Sequence, residues 1–229
     1  MTPPLVLVHS PSLGPGSWEP LAVELRRRGR AVVVPSLLGV ADGPPPAWPR
    51  VVEAVASAVP PEPAVLVVHS NAGLFVPVVA RELQGRLAAL VFVDAGLPAP
   101  DGETPVAPPD FLDFLRGLAD DTGTLPPWTR WWPAEDVAEL FGDDETRRRV
   151  QAEEPRLPLS YYEQAIPAPP DWQDVPAGYV AFGDVYADET ARARQLGWPV
   201  RVLPGLHLHQ LVDPPAVADA VLSISDEIT

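Results

Sequence analysis

The sequence predicts an α/β fold: an open, mostly parallel sheet of about six strands, with helices on both faces and a helical insertion. Three observations carry this expectation. Short Val/Leu/Ala runs recur without polar alternation, as in strands buried on both faces of a parallel sheet. Amphipathic stretches of helical length separate them, which implies right-handed strand–helix–strand units. The length, 229 residues, suits one domain with a sizeable core.

In chain order, Leu5 to His9 reads as a strand and Trp18 to Arg28 as a helix. Ala31 to Pro35 reads as a strand, Trp48 to Val59 as a helix, Ala64 to His69 as a strand and Asn71 to Leu83 as a helix. Leu87 to Asp94 is a further strand. After a long interruption come a strand at Gly178 to Phe182, a helix at Asp188 to Leu196, a strand at Val200 to Leu203 and a closing helix at Pro215 to Ile224.

The interruption sets the domain organisation: a core of residues 1–95 and 175–229, with an insertion at 96–174. The insertion has no strand-like run. Helical patches at Phe111 to Leu118, Ala134 to Phe141 and Glu145 to Glu153 alternate with proline-rich joints, and aromatic residues concentrate there. So long an excursion between two strands reads as a lid over the carboxyl ends of the strands, where ligands bind in such sheets. The plainer alternative is a helical subdomain that only covers the sheet edge.

Composition excludes several chemistries. Hydrophobic content of 46% with 21% charged residues fits a globular chain rather than a disordered one. There are no cysteines, hence no disulfides, thiolate catalysis or Cys-ligated metals. All basic side chains are arginine, so a Schiff-base lysine is excluded. A net charge of −15 disfavours nucleic acid and anionic membranes as partners. No run approaches the ~20 apolar residues that span a bilayer, and the N-terminus lacks a basic signal-peptide region, so a cytoplasmic location is expected. Neither a dinucleotide fingerprint nor a P-loop occurs, and the histidines form no metal-binding motif; no cofactor and no metal are expected. The expected partner is a small apolar molecule, and the chain is expected as a monomer or homodimer.

The run Ala64-Val65-Leu66-Val67-Val68-His69-Ser70-Asn71-Ala72-Gly73 is the most informative stretch. An apolar strand stops at a serine and small residues follow at once, as in a sharp strand-to-helix turn that exposes a nucleophile. Val68 stands where the G-x-S-x-G pattern has its first glycine. The other reading of Ser70 is a plain helix N-cap. A base must take the serine's proton, and the candidates are few. Of four histidines, His207 lies in the loop after the last strand, on the rim that Ser70 occupies. Ser70 before His207 fits the serine–acid–histidine order of hydrolases built on such a sheet.

Taken in order, Leu7-Val8-His9-Ser10 with Trp18 downstream, the elbow His69-Ser70-Asn71-Ala72-Gly73, Val93-Asp94-Ala95, the insertion, and Pro204-Gly205-Leu206-His207 followed by Asp213-Pro214 resemble the α/β-hydrolase superfamily. The likeness is strongest to small lidded members: plant methylesterases, hydroxynitrile lyases and cofactor-free actinobacterial esterase-like proteins. The resemblance implies a serine hydrolase of an apolar ester, thioester or lactone, with Ser70 as nucleophile, His207 as base and no cofactor. It also implies a ligand pocket formed by His9, Ser10, Pro11, Trp128, Trp131, Trp132, Tyr161, Tyr162 and Tyr186. The alternatives are a lyase, cyclase or acyl-transfer enzyme on the same fold, or a binding protein.

Three departures from the family pattern stand out. Tyr186 occupies the usual position of the acid; Asp184 or Asp188 could substitute by a loop shift, and Asp94, one strand earlier, is the first candidate, with Asp184 second. Pro11, which has no N–H, occupies the position of one oxyanion donor. That leaves the Asn71 N–H, with the hydroxyl of Ser10 or Ser12, or the Ser12 N–H, as replacement. Val68 crowds the elbow.

Overall fold

The computed structural model describes residues 2–229. Its strands are β1 (Leu5–Val8), β2 (Val32–Val33), β3 (Ala64–Ser70), β4 (Leu87–Ala95), β5 (Glu103–Pro105), β6 (Ala165–Pro167), β7 (Ala177–Phe182) and β8 (Val200–Leu203). The helices are α1 (Glu19–Arg27), α2 (Trp48–Ala58), α3 (Val76–Glu82), α4 (Pro109–Leu118), α5 (Ala134–Glu139), α6 (Asp144–Gln151), α7 (Leu159–Tyr162), α8 (Ala187–Gln195), α9 (His209–Val212) and α10 (Pro214–Ile228). Among the described residues, six strands form one parallel sheet in the order β2-β1-β3-β4-β7-β8.

The pleat explains the unbroken apolar runs. Successive side chains point to opposite faces, so Val6, Val8, Leu66, Val68, Leu90 and Phe92 enter one core while Leu5, Leu7, Val65, Val67, Val91 and Val93 enter the other. The first core receives Val51 and Val55 of α2 and Val76 and Val79 of α3. The second receives Leu21 and Leu25 of α1 and Val217, Val221 and Ile224 of α10. Because the central strands β1, β3, β4 and β7 are buried on both faces, they carry no alternating pattern.

The insertion packs into the first core rather than standing apart. Leu115, Leu125, Leu157, Tyr161, Tyr162 and Ile166 join the same cluster as the sheet residues. It also holds a pair of strands that the sequence reading missed: β5 pairs antiparallel with β6. Each has three residues and neither alternates in polarity, so their pairing is fixed by the tertiary packing. Two more expectations are corrected. The stretch expected as one helix from Asn71 begins as a 3-10 turn over Asn71–Phe75, and α3 starts at Val76. Pro77 explains the break, since proline suits only a first helical turn. The strand expected from Ala31 to Pro35 shrinks to Val32–Val33, an edge strand that Pro35 cannot extend.

Ser70 ends β3 with φ 57° and ψ −132°, a left-handed conformation rare for a residue with a side chain. Such a residue persists only where its surroundings hold it. The Gly96 N–H donates to the Ser70 carbonyl at 3.1 Å. The next turn closes against the same spot, and a Cβ on Gly73 would overlap the Gly96 carbonyl oxygen. Asp94, at the end of β4, is also left-handed, with φ 42°. Its neighbour Ala95 is tied at both ends to the Tyr179 hydroxyl, which receives the Ala95 N–H (3.0 Å) and donates to the Ala95 carbonyl (2.7 Å).

His9 is fully enclosed and couples two loops. Its Nε2 accepts the Leu37 N–H (2.9 Å), which assigns the proton to Nδ1, and Nδ1–H donates to the Ser10 carbonyl (2.8 Å). Burial pushes its pKa down to about 4 from the ordinary 6.5, against the smaller opposing effect of its backbone bonds. The unfolded chain therefore binds this proton more readily. The stability His9 provides is present above pH 6.5 and is lost as pH falls toward 4.

Two outcomes are expected. Gly73→Ala lowers stability by about 1–3 kcal/mol through overpacking, measured as a lower urea midpoint. The stability of the wild type relative to His9→Asn, read from urea unfolding, shrinks by about 3 kcal/mol between pH 7.5 and pH 4.

Candidate active site

The carboxyl-end rim of the sheet gathers side chains from three separate loops. Ser70 comes from the end of β3, Asp94 from the end of β4, and His207 from the loop after β8. The His207 Nε2 lies 3.0 Å from the Ser70 Oγ, and its Nδ1 lies 2.6 Å from the Asp94 Oδ2. Asp94 is wholly buried, and its other oxygen accepts the Phe182 N–H at 2.9 Å. With Nδ1–H donating to the carboxylate, Nε2 presents its lone pair to the serine hydroxyl. Such a chain can withdraw the hydroxyl proton as the oxygen attacks a carbonyl, with the carboxylate stabilising the imidazolium that forms. The Ser70 side chain makes no helix-capping bond.

His69 packs against His207. Its ring stacks on that of His207 at 4.6 Å and 28°, and its Nε2–H donates to the His207 carbonyl at 2.9 Å. Burial first, and then the neighbouring His207, hold its pKa well below the ordinary histidine value. His69 therefore remains neutral beside His207. Trp18 also packs edge-on against His69 at 5.7 Å. Sequence reasoning missed the positioning contributions of His69 and Tyr179. A strand histidine beside Ser70 was the one available signal for His69.

Tyr186 enters the same site. Its hydroxyl is 3.4 Å from the Ser70 Oγ, and its ring is tilted against His207 at 5.6 Å. Burial raises its pKa to about 12, so the phenol keeps its proton at neutral pH. The residue at the usual acid position is thus a neutral donor that faces Ser70. Asp184, the second acid candidate, is exposed and has no bond to His207; its backbone carbonyl accepts the Ala187 N–H.

A cavity of about 650 Å³ opens over Ser70. Ser10, Ser12, Asn71 and His207 line it together with Trp128, Trp131, Trp132, Tyr162 and Tyr186. Phe111, Leu74, Leu97 and Val106 make it largely apolar, and no arginine lines it. Three expected ligand contacts need correction. His9 is absent from the wall, because its ring is consumed by the two loop bonds described above. Pro11 is buried and does not reach the cavity. Tyr161 is also buried away from it; its hydroxyl donates to the Asn71 Oδ1, while the Asn71 Nδ2 donates to the Val106 carbonyl at 3.2 Å. Tyr161 therefore holds Asn71 in place instead of touching a ligand. Among the described residues, no group of three or more metal-ligating side chains converges, and no helix is long and apolar enough to cross a membrane.

Comparison with known proteins agrees with this architecture. The chain is similar to an extracellular alpha/beta-hydrolase from a Paenibacillus species, described as sharing structural and functional homology with Tobacco Salicylic Acid Binding Protein 2. The identity is 18%, covering 97% of this chain and 98% of that one, with a TM-score of 0.76. It is similar to polyneuridine aldehyde esterase at 18% identity, over 99% and 100% of the two chains, with a TM-score of 0.70. It is also similar to a pyrethroid hydrolase from Sphingobium faniae JZ-2 at 18% identity, over 99% and 98%, with a TM-score of 0.73. At such identity these likenesses show the fold alone. No curated protein matches the sequence. The model of the alpha/beta hydrolase family matches residues 5–220. The chain belongs to the alpha/beta hydrolase family.

Proposed function

We propose that the protein is a serine hydrolase that cleaves an uncharged, apolar ester, thioester or lactone through a covalent acyl-serine. The observation that carries this reading is the hydrogen-bonded chain Ser70–His207–Asp94, at 3.0 and 2.6 Å. Ser70 attacks the carbonyl carbon while His207 takes its proton, and the carbonyl electron pair becomes an oxyanion. When the oxyanion collapses, the bond to the leaving group breaks and His207 returns the proton to it. Water then repeats the sequence on the acyl-enzyme.

The cavity supports the substrate class. Its walls are aromatic and aliphatic, with few polar groups, as suits a small apolar ligand. A substrate carboxylate or phosphate finds no arginine in the lining. Glu189, a half-buried carboxyl whose pKa is raised mainly by burial, adds further repulsion when ionised. The insertion at 96–174 acts as a cover that excludes water. Similarity to proteins named as esterases is consistent with this reading. The action is expected in the cytoplasm, without a cofactor, nucleic acid or membrane.

A second reading keeps the fold and drops the acyl-enzyme, with His207 serving as acid and base in a lyase, cyclase or acyl transfer. Pro11 favours it, because the loop after β1 lacks an N–H at the position where the family pattern has an oxyanion donor.

The two readings separate on Ser70. A fluorophosphonate probe is expected to label the wild type and not Ser70→Ala, and turnover of p-nitrophenyl butyrate is expected to vanish in that variant. Full turnover by Ser70→Ala would favour the second reading. Asp94→Asn is expected to lower kcat by about 10⁴-fold, because the imidazole then loses its tautomer and its counter-charge. Esters that end in a carboxylate are expected to have kcat/KM at least ~10-fold below neutral isosteres, since no basic side chain offsets their desolvation.

A further inference from the structure

The loop after β1 cannot complete an oxyanion site with backbone alone. Ser10 to Leu13 form a turn, closed by the Leu13 N–H donating to the Ser10 carbonyl at 2.9 Å. Pro11 has no N–H to give. The Ser12 N–H is directed within the turn, 3.4 Å from the Ser10 Oγ. Asn71, which opens the turn after Ser70, is left as the backbone source of a donor.

A pair of hydroxyls lines the same cavity. The Ser12 Oγ and the Tyr162 Oη lie 2.6 Å apart, both residues are buried, and both line the cavity with Ser70 and Asn71. Each hydroxyl carries one proton, and a mutual hydrogen bond consumes one of the two. The other is free to donate into the cavity, whichever oxygen bears it. Burial raises the Tyr162 pKa, so the pair does not lose a proton near neutral pH. The Tyr162 ring is held edge-on by Tyr161 at 4.8 Å, Trp131 at 5.7 Å and Phe111 at 6.4 Å, which fixes the hydroxyl in advance of reaction.

We propose that the Ser12–Tyr162 hydroxyl pair supplies the second oxyanion donor that Pro11 removes from the backbone. The inference rests on the acyl-serine reading above. As Ser70 bonds to the carbonyl carbon and its proton passes to His207, the oxygen that gains the electron pair receives one bond from the Asn71 N–H and one from the free hydroxyl proton of the pair. On collapse the electron pair returns to the carbonyl, and the pair keeps both its protons. Tyr162 belongs to α7 of the insertion, 150 residues from Ser12. Its bond to Ser12 therefore makes the transition-state site depend on the seating of the insertion, which links the cover to the chemistry.

The test is steady-state hydrolysis of p-nitrophenyl butyrate by Ser12→Ala, Tyr162→Phe and the double variant. Loss of one such donor typically costs 10²–10³ in kcat. Both single variants are expected to lose kcat by about that factor with KM within ~3-fold of wild type, the signature of an interaction made only in the transition state. The double variant is expected to fall no further than the worse single, because the two hydroxyls act as one donor. Single variants within ~3-fold of wild-type kcat, or losses that multiply in the double, would each overturn the assignment while Ser70→Ala remains inactive. Undiminished turnover by Ser70→Ala would overturn the acyl-serine reading itself, and this assignment with it.

Discussion

The site depends on a backbone reversal held by the end of a neighbouring strand. Ser70 occupies left-handed space because the Gly96 amide binds its carbonyl and because Gly73 has no Cβ to strike the Gly96 carbonyl. Without that closure the chain would leave β3 by an easier path, and the serine side chain would turn away from the rim. β4 serves the site twice, since its own left-handed residue, Asp94, aims a carboxylate at the same histidine. Register makes this possible. β3 and β4 slip at His69/Ser70, so that Ser70 pairs with Ala95 and the two strand ends finish side by side.

Charge management around His207 follows from burial. His9 and His69 are both enclosed, and both favour the neutral form. Desolvation is the largest effect in each case, and it outweighs the hydrogen bonds that favour the proton. Of the three histidines at the core of the rim, only His207 has a carboxylate partner to stabilise the imidazolium. In the proposed reaction, a proton taken from Ser70 therefore has one favourable destination. The stack of His69 on His207 keeps that destination fixed without competing for the proton.

The insertion is part of the core rather than a detachable flap. Its aliphatic and aromatic residues share one cluster with the sheet, and Glu153 reaches back to accept the Gly16 N–H at 2.7 Å. A burial of this kind favours a fixed cavity with a narrow range of shapes. Among the lining residues, Trp132, stacked on Phe114 at 5.2 Å, and Val185 are exposed where the cavity meets solvent.

The sequence by itself determined the sheet, the helices that cover it, and the rim positions of Ser70 and His207. Those features follow from local patterning: apolar runs that need two buried faces, and small residues that permit a sharp turn. It also exposed Pro11 as a missing donor, because proline lacks an N–H in any context. It could not decide between Asp94 and Asp184, since that choice rests on distance to a ring more than 100 residues away by the Asp94 route. Nor could it tell that His9 and Tyr161 serve loops and Asn71 rather than the cavity, because a buried and a pocket-facing side chain are identical as letters. Only the tertiary structure assigned those partners, since hydrogen bonds between distant loops are set by the packing of the whole sheet and leave no periodic trace along the chain.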